Sequence, residues 1–235
     1  MLIGLRNGMA APKGGSGEYW GLCFTAESAN STVGMSANGS APSVNLEYST
    51  DASRWNPFTV GSTTVTLANV GDRVWFRAGA GGNTCLGTSS QNYNKFAITG
   101  TVAASGNVMS LLDGQRQLTS IQQGYCFFGL FWLCTSLTKA PELPATQLAG
   151  SCYDSMFVGC TSLTTAPELP ATQLISACYQ YMFDGCQNLT AAPVWPGVSA
   201  QAEQNSCNSM FRNCMSLTAA PEIPIPAQGS SSNFK

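Results

Sequence analysis

A chain of 235 residues with net charge −2, 9% charged residues and no histidine has no basic run to hold nucleic acid or an anionic membrane surface. It also lacks the base of a nucleophilic triad. Yet 44% of its residues are apolar, so low charge here points to many short strands and turns rather than to disorder, and no stretch approaches the roughly 18 continuous apolar residues of a membrane span.

The chain opens on Met1-Leu2-Ile3-Gly4-Leu5-Arg6-Asn7-Gly8. Arg6 and Gly8 break the apolar run too early for an export signal, and Tyr19-Trp20-Gly21-Leu22 lacks the small residues that would precede a lipoprotein cysteine at Cys23. Gly14-Gly15-Ser16-Gly17 precedes a strand pattern and has no phosphate-loop lysine, so it reads as a tether. Residues 1–17 are therefore expected to form a docking peptide on a Gly-rich tether.

From 18 to 112 the apolar residues alternate with period two, which marks half-buried strands. Trp20, Leu22 and Phe24 alternate, as do Val44, Leu46 and Tyr48, Val65 and Leu67, Val74 and Phe76, and Phe96 and Ile98. Turn clusters at 49–53, 69–72 and 79–83 separate them. The spacing predicts a small antiparallel β-sandwich, with 100–112 bridging to the second half of the chain. Cys23 and Cys85 lie here, and the sequence leaves open whether they are bridged.

The second half is a repeat. Cys126-Phe-Phe-Gly-Leu-Phe-Trp-Leu-Cys134 is followed by Cys152-Tyr-Asp-Ser-Met-Phe-Val-Gly-Cys160, by Cys178-Tyr-Gln-Tyr-Met-Phe-Asp-Gly-Cys186, and by a shortened Cys207-Asn-Ser-Met-Phe-Arg-Asn-Cys214. The period is about 26 residues, and each unit runs on into a Leu-Thr segment and two prolines. Tyr153, Met156, Phe157 and Cys160 fall at i, i+3, i+4 and i+7, an apolar stripe that predicts a short helix, with Gly159 and Gly185 where helices would end. Each unit then reads as a helix, a brief strand and a Pro-rich return that buries its stripe only by stacking on its neighbours. The expected fold class is a mixed β/α repeat: an N-terminal antiparallel β-sandwich, then a C-terminal leucine-rich-repeat solenoid of four units over 121–226, then a tail at 227–235.

The pattern Tyr-x-x-Met-Phe-x-Gly-Cys-x-Ser-Leu-Thr at 153–164, with Ala-Pro-Glu-Leu-Pro-Ala-Thr between units, resembles the BspA-like leucine-rich repeats of gut Bacteroidales and their phages. The stretches 46–58 and 74–77 are similar to the domain that often precedes such repeats. The resemblance covers about 124–226. It implies a solenoid used for attachment or protein contact, without chemistry of its own, and a start without an export signal resembles the phage-encoded members.

Three residue sets could carry chemistry. The repeat cysteines Cys126, Cys134, Cys152, Cys160, Cys178, Cys186, Cys207 and Cys214 sit eight apart within a unit, outside metal-ligand spacing. On a helix they are about 12 Å apart, too far for a bridge, so they read as buried free thiols. Glu142, Glu168 and Glu222 share one repeat position; such a column can meet Ca²⁺ or a cationic receptor group, or stand as a solvated edge. Identical repeat positions give similar environments, which argues against a glycosidase pair. Trp132 shares its slot with Val158, Asp184 and Arg212, which reads as solvent-facing, so Trp132 either packs beneath the sandwich or meets a partner. Trp195 occupies a slot held elsewhere by Leu143, Leu169 and Ile223 and reads as core.

The expectation is a non-enzymatic structural or attachment module without metal or cofactor. Its leading form is a fibre or decoration protein of a phage virion that contacts the host surface; the alternative is a bacterial cell-surface adhesin. Its partners would be other virion or surface proteins through the N-terminus and a host-surface protein or glycan. Nucleic acid and a membrane span are not expected, and a homo-oligomer is compatible with the pattern. Deleting residues 1–13 is expected to leave both halves folded, by circular dichroism and thermal melting, and to abolish incorporation into the larger particle. Retained incorporation would move docking to the sandwich.

Overall fold

The computed structural model describes residues 21–114, 118–193 and 202–218. The docking peptide 1–17, Trp195, Glu222 and the tail 227–235 lie outside the described residues. Of the alternating residues, Trp20 lies outside the described residues and Val44 precedes its strand, while the others lie in strands β1 (Leu22–Ala26), β3 (Leu46–Ser49), β5 (Thr64–Leu67), β6 (Arg73–Ala78) and β7 (Tyr93–Thr99). Strands β2 (Ser31–Asn38), β4 (Asn56–Phe58), β8 (Val102–Ser105) and β9 (Leu137–Lys139) complete two sheets, ordered β4-β3-β6-β1-β8-β9 and β5-β2-β7. Period-two alternation sends Leu22, Phe24, Val74 and Phe76 inward from the larger sheet, with Phe24 opposite Val74 and Leu22 opposite Phe76. Phe96 of the smaller sheet meets Phe24 and Phe76 at ring-centroid distances of 4.8 and 5.4 Å.

The bridging segment supplies β8 and a four-residue helix, α1 (Ser110–Asp113), closed by Gly114 at φ 64°. The Ser110 hydroxyl accepts the Leu22 N–H at 3.0 Å and donates to the Phe76 carbonyl at 3.1 Å. That pins α1 against the start of β1 and the buried middle of β6.

The expected mixed β/α repeat does not form. Among the described residues α1 is the only α-helix, the regular structure is almost entirely strand in two sheets, and no helix-and-strand solenoid closes. In place of helices, every fourth residue is left-handed: Tyr125, Gly129 and Leu133 in the first unit, then Ser151, Ser155 and Gly159, then Ala177, Tyr181 and Gly185, then Asn205, Ser209 and Asn213. Alternate N–H groups close tight turns onto the carbonyl three residues back, as in Phe128 to Tyr125, Leu130 to Phe127 and Trp132 to Gly129. The intervening N–H groups point along the stack. Those of Tyr125, Phe127, Gly129, Phe131 and Leu133 donate to the carbonyls of Gly150, Cys152, Asp154, Met156 and Val158 at 2.8–3.1 Å. The next two interfaces repeat this, from Ser151 to Ser176 onward and from Ala177 to Gln204 onward.

A four-residue conformational period buries i, i+3, i+4 and i+7 much as a helix does, which is why the stripe reads as helical. Energetics decide against the helix. A helix of nine residues is too short to hold itself together, and it spends its N–H groups internally. The turn ribbon instead gains five bonds at each interface, at about 0.5–1.5 kcal/mol apiece. Against them stand two non-glycine left-handed residues per unit in the first three units, at roughly 1–2 kcal/mol each.

The sheets begin this stack. The Phe131 N–H donates to the Met156 carbonyl, and the Cys160 thiol donates to the Phe131 carbonyl at 3.1 Å. In β7, the Phe96 N–H donates to the Leu130 carbonyl and the Cys134 thiol donates to the Phe96 carbonyl at 3.5 Å. Phe96 thus reproduces, from a strand, the part that phenylalanine plays in the first three units. Leu86 likewise donates to Cys126 as Phe127 does to Cys152. On the other flank β9, the Leu-Thr run of the first unit, pairs in parallel with β8, which covers the edge of the larger sheet. One hydrophobic cluster runs from Leu22 to Phe211.

Ala177→Gly separates the ribbon from a helix by sign. In a helix interior the change costs about 1 kcal/mol. At φ 54° it relieves roughly 1–2 kcal/mol of left-handed strain, less about 0.4–1 kcal/mol for the freer unfolded chain. Chemical denaturation is expected to show a net gain of about 0.5–1 kcal/mol, and a loss would contradict the ribbon.

Candidate functional site

Stacking sets equivalent residues in columns. Phe131, Phe157, Phe183 and Phe211 form one, with centroids 5.2, 5.5 and 5.6 Å apart and near-parallel rings, and Phe96 joins it 5.3 Å below. Phe127, Tyr153 and Tyr179 form a second, at 5.7 and 5.9 Å. The Tyr179 N–H donates to the Ser206 carbonyl where Tyr153 donates to Cys178. The hydrogen-bond register therefore places Cys207 in the tyrosine column and Ser206 in the first-cysteine column, which corrects the alignment of the fourth unit on Cys178.

The outward face carries the Trp132 slot. Trp132 is half-buried and stacks on Tyr93 of β7 at 6.0 Å, with the rings 11° from parallel. One face of the indole is thereby occupied by the sheet region. The solvent-facing reading of this slot fails at Asp184, which is only 7% exposed. Its carboxylate accepts hydrogen bonds from Arg212 Nε at 3.1 Å, from Arg212 Nη2, and from Asn213 Nδ2 at 3.1 Å. The carboxylate holds the Arg212 pKa above its usual value, and the guanidinium lies over the Tyr181 ring at 5.1 Å. Sequence comparison within the slot missed this pair because donor and acceptor sit in neighbouring units, 28 positions apart.

Asp154, which carried no sequence expectation, is 8% exposed and follows Phe128 in the neighbouring column. Its carboxylate accepts a 2.7 Å hydrogen bond from Ser155 Oγ, and burial lifts its pKa to about 6. With Phe128, Trp132, Val158, Tyr181 and Asp184 it lines a groove of about 340 Å³ along the stack.

The glutamate column is only partly on view. Glu142 and Glu168 are exposed, and neither has an ion pair among the described residues. The backbone of Glu142 is engaged, its N–H donating to Gly106 and its carbonyl accepting from Val108. No group of three or more His, Cys, Asp or Glu able to hold a metal occurs among the described residues.

All ten cysteines are free thiols. Cys134, Cys160, Cys186 and Cys214 repeat one role, each donating its S–H to the phenylalanine carbonyl of the layer before: Phe96, Phe131, Phe157 and Phe183, at 3.0–3.5 Å. Burial pushes Cys134, Cys152, Cys207 and Cys214 up to about 12 and holds Cys126, Cys160, Cys178 and Cys186 well above the usual thiol range. Such thiols stay protonated at neutral pH, good as donors and poor as nucleophiles. No described helix is long and apolar enough to cross a membrane.

No protein-family model matches the chain, and searches of curated proteins and of solved structures find no match either.

The thiols give a direct check. Iodoacetamide at about pH 8 is expected to label the half-buried Cys85 well ahead of the seven buried repeat cysteines in the native protein. In denaturant without reductant all ten are expected to react, and bridged repeat cysteines would contradict the register.

Proposed function

We propose that the chain is a non-enzymatic attachment module, in its leading form a fibre or decoration protein of a phage virion that presents its stacked face to a host surface. One observation carries this reading. Backbone hydrogen bonds run layer by layer from Leu86 and Phe96 through all four units, so outward side chains stand in fixed columns on a stiff support, as recognition requires. Thr138, Thr164 and Thr190 tie the opposite flank together, Thr164 N–H to Thr138 and Thr190 N–H to Thr164. The resemblance of the units to BspA-like repeats supports the same class of role, although the β/α geometry of leucine-rich repeats is not carried over with it.

Docking through residues 1–17 and contact through the repeat face would place the two tasks in different parts of the chain. The alternative, a bacterial cell-surface adhesin, keeps the contact face and changes the support. Immunogold labelling with antibody raised against residues 21–114 tests both. Label on the outside of purified virions is expected. Label on uninfected cells and none on virions would replace the virion by the cell surface, and label on neither would overturn the attachment reading.

A further inference from the structure

We propose that the Asp154 end of the groove receives the guanidinium of an arginine side chain presented by a partner polypeptide. The proposal rests on the reading of the chain as a contact module and names the chemistry its face recognises.

A carboxylate that is 8% exposed is ordinarily answered by a cation, because an unpaired charge taken from water is costly. Asp154 has the Ser155 hydroxyl, and among the described residues no cation pairs with it. The other polar groups lining the groove do not supply one, since Arg212 is committed to Asp184 and Tyr181 brings a ring and a hydroxyl. Among the described residues no cation answers the charge of Asp154, which lines the groove together with Phe128, Trp132 and Val158.

The chain itself contains the completed arrangement further along the same groove. At Asp184 a buried carboxylate, a guanidinium and an aromatic ring come together, with Arg212 bound to the carboxylate and lying 5.1 Å over Tyr181. At Asp154 the carboxylate and the rings are present and the guanidinium is not. The indole of Trp132 is already held in plane by Tyr93, so little ordering remains to be done on binding. A planar, weakly hydrated guanidinium can lie against such rings while its N–H groups reach the carboxylate, which a compact ammonium does less well. The groove's volume of about 340 Å³ suits one side chain rather than a folded segment.

The test uses the full chain and small probes: N-acetyl-arginine methylamide, the matched lysine compound, and the citrulline compound, which keeps the shape and loses the charge. Binding is followed by the Trp132 indole N–H resonance, assigned with Trp132→Phe, and by calorimetry. The arginine probe is expected to bind saturably, the lysine probe several-fold more weakly, and the citrulline probe not measurably. Asp154→Asn is expected to weaken arginine binding by roughly tenfold or more, the loss of a charge-assisted contact. The same variant should melt at or above the parent near about pH 7.5, because an acid whose pKa is raised by folding destabilises the fold when ionised. Binding should also fade as pH drops through about 6, where Asp154 takes up its proton. Should Asp154→Asn not fold, Trp132→Leu serves instead and is expected to erase the preference for arginine over lysine. Equal binding of lysine or citrulline, unchanged binding by Asp154→Asn, or no saturation would each overturn the proposal. Label on virions together with any of these results would leave the attachment reading standing and remove only its arginine chemistry.

Discussion

The column of phenylalanine rings from Phe96 to Phe211 organises the molecule, and what makes it possible is the division of backbone N–H groups between two tasks. Alternate groups close turns within a unit, and the others reach the next unit. Rings held by that backbone stack at 5.2–5.6 Å, within the range of favourable offset stacking. The carbonyl of each phenylalanine from Phe96 to Phe183 also accepts a thiol from the following layer. Ring, N–H and carbonyl are thus all engaged along the same axis, so each unit is specified by its neighbours rather than by its own propensity.

Such a stack needs a beginning, because the first unit would otherwise expose its carbonyls and one face of its aromatic column. The sheets provide it. Phe96 and Leu86 supply the N–H groups that an earlier unit would have given, and Phe96 supplies the ring. The larger sheet in turn has the edge of β8 covered by β9 from the first unit. Each part answers an exposed edge of the other.

The cysteines and the acidic residues show how burial along the stack selects chemistry. Thiols that burial pushes well above their usual range are donors fitted to a narrow gap between layers, which accounts for their regular spacing. Buried carboxylates are harder to accommodate. Asp184 is accommodated by Arg212 from the next unit, and that pairing across layers makes one outward face chemically uneven although the units repeat.

Residue periodicity by itself determined that four units recur and that Phe157 and Phe183 lie inward; the free state of the repeat thiols is a property of the folded stack, because the helical spacing that argued against a bridge within a unit does not form. Periodicity determined the positions of β1, β3, β5, β6 and β7, because alternation is a local property of the chain. It did not determine the backbone of the units. A stripe at i, i+3, i+4 and i+7 fits both a helix and a ribbon with a left-handed residue every fourth position, and only hydrogen bonds between residues about 25 positions apart choose between them. The same holds for Phe96 as a layer of the stack and for the contrast between Asp154 and Asp184. These depend on which units become neighbours, and a local pattern carries no record of the partner that completes it.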